Sequence, residues 1–172
     1  TLIDEKIQEN SNSVKGPGCG LYLTFQTKAK EQIQMQVGLS YTNIENARNN
    51  RDSEATGKSF DDVKNAAHQT WNEMLSRIQV EGGTEDDKTV FYSSFYRTFE
   101  RPICMSEDGR YFSAFDGKVH EDNGTPFYTD DWIWDTYRAA HPLRTLIDQQ
   151  KEEDIIASYL RMAEQMGNMR MP

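Results

Sequence analysis

Apolar and polar residues alternate with a period of two over Leu21-Tyr22-Leu23-Thr24-Phe25-Gln26-Thr27, and again where Ile33, Met35 and Val37 interleave with Gln32, Gln34 and Gln36. That period places each apolar set on one side of a pleated strand. The short polar link Lys28-Ala29-Lys30-Glu31 makes the pair an antiparallel hairpin, dry on one face. A lone hairpin is barely stable in water, so these strands call for partners ahead of Thr1 or on another chain. Residues 1–20 are polar and end in the loop Gly16-Pro17-Gly18-Cys19-Gly20.

From Thr42 the period becomes helical. Thr42-x-x-Glu45 reads as a capping box for a short helix through Asn46-Ala47-Arg48, weakened at Asn49-Asn50 and followed by a polar loop from Asp52 to Lys58. Ser59-x-x-Asp62 opens a stronger helix whose stripe of Val63, Ala66, Ala67, Trp71, Met74, Leu75 and Ile78 is read as core. After the acidic turn Glu85-Asp86-Asp87, Lys88 to Phe99 forms another helix, with Phe91, Phe95 and Phe99 on its core side, ended by Arg101-Pro102. The turn dipeptides Asp108-Gly109 and Asp116-Gly117 around Tyr111 to Phe115 predict a small β excursion. Thr129 caps a helix with Asp130 and Asp131 in its first turn, and Pro142 breaks or kinks it. The last helix runs from Glu152 to Met166 with a broad apolar face and stops at Gly167-Asn168. Strands come first and helices afterwards, which gives an α+β chain or the junction of two domains.

Composition narrows the function classes. The 172 residues carry 19 Lys+Arg against 28 Asp+Glu, a net charge of -9. A phosphate backbone is repelled by that balance, because nucleic-acid affinity comes from cations that neutralise phosphates. An anionic membrane surface is disfavoured for the same reason, and no apolar run approaches the length of a membrane span. Aromatic residues at 11% argue for a folded chain despite its wet character. The first residues, Thr1-Leu2-Ile3-Asp4-Glu5, lack the apolar run of a secretory signal and lack an initiator Met, which reads as a processed or excised chain. Cys19 and Cys104 lack the paired spacing of a zinc site; free thiols and a single bridge both remain open.

The segment Tyr128 to Arg138 concentrates the candidate chemistry. It holds two indoles, three carboxylates and a guanidinium. Sugar sites use that mixture: indole faces cover the C–H patches of a pyranose, while carboxylates and Arg hold its hydroxyls. On a continuous helix Trp134, Arg138 and His141 would share a face, and Asp135 could bond Arg138. Two tryptophans on a helix are most often core, and Asp135 with Arg138 is most often a solvated ion pair. The adjacent carboxylates Asp130-Asp131 and Asp86-Asp87 are better read as helix-start residues than as an acid–base pair. His68, His120 and His141 stand apart, without metal-binding spacing.

Several short motifs come in a recognisable order: Val37-Gly38-Leu39-Ser40-Tyr41, Glu45-Asn46-Ala47, Trp71-Asn72, Phe91-Tyr92 with Tyr96-Arg97, Asp108-Gly109-Arg110-Tyr111, Tyr128-Thr129, and Trp134-Asp135-Thr136-Tyr137-Arg138 with His141-Pro142-Leu143. Together they resemble glycoside hydrolase family 92, the calcium-dependent exo-acting α-mannosidases, from about Gly20 to the C-terminus. The resemblance implies a layout: residues 1–41 as the end of an N-terminal β-sandwich, 42–87 as a helical linker, and 88–172 as the incomplete start of an (α/α)6 catalytic barrel. It implies hydrolysis of terminal α-mannosides of glycans with inversion, helped by Ca²⁺, with the acid, the base and most calcium ligands beyond this chain. It places Trp134 at the terminal mannose and Asp135 on its hydroxyls, with Arg138 as an orienting partner. Many members continue past the last helix with Gly-x-x-Pro-x-Trp, whereas this chain stops at Pro172, so the pocket lacks most of its walls and this chain alone is expected to be inactive. Its partners would be mannose-containing glycans and the remainder of the parent polypeptide, outside the cytoplasm. The rival reading is a stand-alone, non-catalytic carbohydrate-binding or interaction module.

Overall fold

The computed structural model describes residues 11–167 and the backbone of Leu2, Ile3, Lys6 and Ile7. Residues 168–172, where the final stop and the truncated motif were read, lie outside the described residues. The chain divides into two units, Thr1–Met35 and Gln36–Pro172.

In the first unit, β1 (Leu2–Ile3) pairs antiparallel with β2 (Lys6–Ile7), in a stretch the sequence marks only as polar. The expected hairpin is not formed. Residues 21–27 and 32–37 join no ladder; only the turn survives, with the Glu31 N–H donating to Lys28 O and the Lys28 N–H to the Glu31 carboxylate. The reason is physical: Leu21, Leu23, Phe25, Ile33 and Met35 are all exposed, so no second layer rewards the ordering of a two-stranded ribbon.

The second unit starts as an extended segment laid along α1 (Ile44–Glu54). Gln36 donates to Ala55 O and Asn50 to Leu39 O. Gly38 sits so close that an added Cβ would lie 2.0 Å from Ala47 O, which explains a glycine there. Helix α1 begins one residue later than read and runs through Asn49-Asn50: Asn43, not Thr42, caps it, accepting from the Asn46 N–H. Glu107 fastens this region to a later part of the chain, more than 50 residues on. Its carboxylate accepts from Ser40 Oγ, the Tyr41 and Thr42 N–H groups and Asn50. Burial pushes the Glu107 carboxyl up, but the bonds from Ser40, Asn50, Tyr41 and Thr42 outweigh it and hold it below the usual carboxylate range.

Ser59 and Asp62 form the expected capping box at the start of α2 (Phe60–Leu75). A second box, between Thr84 and Asp87, starts α3 (Glu85–Arg97) three residues ahead of the expected Lys88, because the acidic turn is itself the first helical turn. The two helices meet through Trp71, whose ring centroid is 4.4 Å from that of Tyr96 and 6.1 Å from that of Phe99. Their stripes are less buried than their period suggested: no residue of α2 is buried, and only Phe95 of α3 is. Periodicity marks an apolar face; it does not supply the layer that covers it.

Strand β3 (Ile103–Cys104) pairs with β6 (Tyr128–Thr129), and between them β4 (Arg110–Ser113) pairs with β5 (Lys118–Glu121) as the hairpin read from Asp116-Gly117. Three helices follow: α4 (Ile133–Thr136), α5 (Ala140–Ile147) and α6 (Gln149–Met166). The last starts three residues before the expected Glu152 and ends where Gly167 adopts φ 68°. Tyr111, Phe127 and Met162 form the core of this part, with the Tyr111 and Phe127 rings stacked at 4.0 Å. The broad apolar face read on α6 is split: Ile155 and Met162 are buried, while Ile156 and Leu160 are exposed.

Candidate functional site

Thr129 does not cap a helix. It closes β6, and Asp130 turns the chain with φ 63°. That left-handed residue sends the two neighbouring carboxylates apart. Asp130 pairs with Arg101 at 2.5 Å, and Arg101 in turn stacks on Trp132 with its guanidinium carbon 4.2 Å from the ring centroid. Asp131 goes inward and is 5% exposed.

Helix α4 is a single turn with no side-chain cap, and α5 begins only at Ala140, with Pro142 in its first turn. The break separates residues that a continuous helix would have aligned. Trp134 is 86% exposed. Arg138 is also exposed and donates to the Tyr137 hydroxyl at 2.7 Å. Among the described residues no ion pair joins Arg138 to Asp135. Asp135 alone of the three lines a cavity, of about 340 Å³, shared with Thr98, Arg101, Trp132, Thr136 and Arg144. That volume lies at the small end of the range of about 300–1,000 Å³ for small-molecule sites. Its mixture of an indole edge, a carboxylate and guanidinium groups can hold a polyhydroxylated ring.

Behind this cavity lies a buried polar network. His141 Nε2 is 2.9 Å from Asp131 Oδ2, and Nδ1 is 2.6 Å from Glu152 Oε1. The Tyr159 hydroxyl donates to the same Asp131 oxygen, and Thr136 Oγ1 lies 3.2 Å from His141 Nε2. Arg144 is 3% exposed; it donates to the carbonyls of Thr98 and Arg101 and lies 3.9 Å from Glu152. Two carboxylates facing both ring nitrogens require His141 to donate from both, as an imidazolium. The Asp131 hydrogen bond raises its pKa against the opposing effect of burial, and Glu152 adds to the rise. Burial pushes Asp131 up, but the bonds from His141, Tyr159 and Thr136 prevail and bring it down to about 2. Tyr159 is held above the usual phenol range by burial first and by Asp131 second.

The sequence places His141 on a face with Trp134 and Arg138 and does not connect it to Asp131, Glu152, Tyr159 or Arg144. Asp131 was read as a helix-start residue and His141 as an ordinary partner. One signal was present: Glu152, Ile155, Tyr159, Met162 and Met166 fall on one stripe of α6, so a carboxylate sits in register with the buried face. Cys19 and Cys104 are both free thiols.

The family model of the glycosyl hydrolase family 92 catalytic domain matches residues 46–172. The chain belongs to this family. Among solved family 92 structures, it resembles an inverting mannosidase from Bacteroides thetaiotaomicron with TM-score 0.71 and 34% identity, covering 76% of this chain and 18% of that one. An α-mannosidase from the same organism gives TM-score 0.70 at 28% identity, over 77% of this chain and 18% of that one. A curated relative, an uncharacterized secreted glycosidase of Arthroderma benhamiae, is 31% identical over 110 residues, 56% of this chain and 14% of the relative. The family 92 chain thus spans under a fifth of the length of each.

The Ca²⁺ implied by the family resemblance is not matched by this donor set. Among the described residues no group of three or more His, Cys, Asp or Glu side chains could hold a metal ion, and the buried carboxylates Asp131 and Glu152 are engaged by His141. No helix among the described residues is long and apolar enough to cross a membrane.

The network makes the stability of this family 92 chain depend on pH in a definite direction. Asp131, depressed in the fold, stabilises fully above its unfolded value of about 4 and loses that contribution as pH falls through about 2. His141, raised in the fold, stabilises fully below its unfolded value of about 6.5 and loses that contribution as pH rises through its folded value. The two windows overlap between about pH 4 and 6.5. Thermal unfolding of wild type and His141→Asn across pH 2–9 should therefore show the largest gap in that interval, closing on both sides. A gap independent of pH would contradict this.

Proposed function

We propose that this chain is part of an inverting, Ca²⁺-dependent, exo-acting α-mannosidase that removes terminal α-mannosides from glycans outside the cytoplasm. The observation that carries the reading is the structural likeness to an inverting mannosidase at 34% identity, within a shared family. In this reading residues 1–41 end a β-sandwich, 42–87 link it to the catalytic body, and 88–172 begin an (α/α)6 barrel whose later helices bring the acid and the base. The secreted relative supports an extracytoplasmic setting.

Inversion in a single displacement needs an acid at the leaving oxygen and a base for a water on the opposite ring face, about 6.5–9.5 Å apart. The role left to this chain is substrate recognition. Asp135 accepts hydrogen bonds from sugar hydroxyls at the cavity, Trp134 offers an exposed indole face to the ring, and Arg138 orients the neighbouring hydroxyls or carboxylates. The Ca²⁺ ligands belong, in this reading, to segments other than the described residues. The test is the anomer first released. Proton NMR of the full-length polypeptide acting on an aryl α-mannoside should show β-mannose appearing before mutarotation, and EDTA should abolish the signal until Ca²⁺ is restored. Initial release of α-mannose, or no hydrolysis with Ca²⁺ present, would overturn the proposal.

A further inference from the structure

We propose that His141 is a positioning residue that pins both ends of the one-turn helix α4 and so sets Asp135 at the cavity mouth; the link to substrate rests on the function proposed above. Four residues of helix have little stability of their own, because nucleation costs more than one turn of hydrogen bonds returns. Helix α4 has no side-chain cap at its start, and few bonds close its turn: the N–H groups of Asp135 and Thr136 and the Thr136 hydroxyl donate to Trp132 O, and the N–H of Tyr137 to Ile133 O. Something outside the turn must hold it.

That support is one ring nitrogen. Asp131, two residues ahead of α4, and Thr136, its last residue, both meet His141 Nε2. The opposite nitrogen is anchored on Glu152, in the first turn of α6, and Tyr159 two turns later holds Asp131 in place. The pin therefore hangs α4 on the longest helix among the described residues through α5. Three residues further along α5, Arg144 ties down the facing wall through Thr98 O and Arg101 O. One short helix thus fixes both sides of the cavity, and Asp135 lies between them. The groups that face the ring are Asp131 before α4, Thr136 on α4, Arg144 on α5, and Glu152 and Tyr159 on α6. Two anions and a cation around an imidazolium leave the cluster neutral, which suits a buried clamp.

His141→Asn tests this directly, since it leaves the bond of the Thr136 hydroxyl to Trp132 O in place; Thr136→Val removes that bond together with the pin, without touching the anchor in α6. Hydrogen exchange of the full-length polypeptide reads the result without reference to activity. For both variants the amides of residues 135–137 should exchange about tenfold faster or more, whereas Thr136→Ser should match wild type. The α6 amides should stay unchanged in Thr136→Val. Unchanged exchange at residues 135–137, or an equal acceleration throughout α6, would overturn the clamp. Kinetics supply the second reading. Thr136→Val should lower kcat/KM for an α-mannoside several-fold, and that loss should vanish in an Asp135→Ala background, because the two act as one unit. A loss that persists undiminished there would refute positioning through Asp135. If Asp135→Ala alone leaves the kinetics unchanged, the substrate reading fails by itself, and exchange still decides the clamp.

Discussion

Replacing Asp135 by Ala in the full-length enzyme should lower kcat/KM for α-mannosides by about a hundred- to ten-thousand-fold while leaving the fold intact. The magnitude follows from what a carboxylate does for a sugar. A hydrogen bond to a charged partner contributes about 1.5–3 kcal/mol, and one carboxylate can take two adjacent hydroxyls, so about 3–6 kcal/mol is at stake. Each 1.36 kcal/mol is about a factor of ten in rate. Stability should barely change, because Asp135 is exposed and makes no ion pair with Arg138, and such surface replacements stay within about 0.5 kcal/mol. Asp135→Asn keeps the shape but not the charge and should fall between the two. Steady-state kinetics with circular dichroism on the same samples decide the matter; wild-type kinetics in Asp135→Ala would remove the residue from the site.

Arg144→Met should be the most damaging replacement for stability, at about 3–5 kcal/mol, because it leaves the buried cluster with two carboxylates against the single His141 imidazolium. The side chain is 3% exposed, and it supplies donors to the carbonyls of Thr98 and Arg101 as well as a positive charge near Glu152. Methionine fills much of the volume and isolates the electrostatic loss. Glu152 Oε2 is already buried without a hydrogen bond, so His141 at Oε1 is left as the carboxylate's one charged neighbour among the described ion pairs. Native-state hydrogen exchange of α5 and α6 measures the effect where it arises. A loss below about 1 kcal/mol would mean that water reaches the carboxylate and that the burial argument is wrong.

Some of this architecture was legible in the chain because it depends on neighbours in sequence. The Ser59–Asp62 capping box, the β4–β5 hairpin around Asp116-Gly117 and the stop at Gly167 each need only a few adjacent residues. The acidic turn at Glu85 was misread because carboxylates suit a loop and a first helical turn equally well. The Trp-Asp-Thr segment was recognisable by order and composition, and it does border the cavity through Asp135. Its conformation was not recognisable, because the left-handed Asp130 and the gap before α5 have no period to announce them.

By itself the sequence determined several turns and helix ends, such as Ser59, Asp116-Gly117 and Gly167, which faces are apolar, and which family the chain belongs to. Those properties are carried by short-range sterics, capping and residue order. Only the tertiary structure decided which apolar faces are covered, and that Asp131, His141 and Glu152, spread over 22 residues, meet behind one cavity. A buried charge is stable only beside its partner, and partners that lie on three different elements are brought together by packing rather than by spacing.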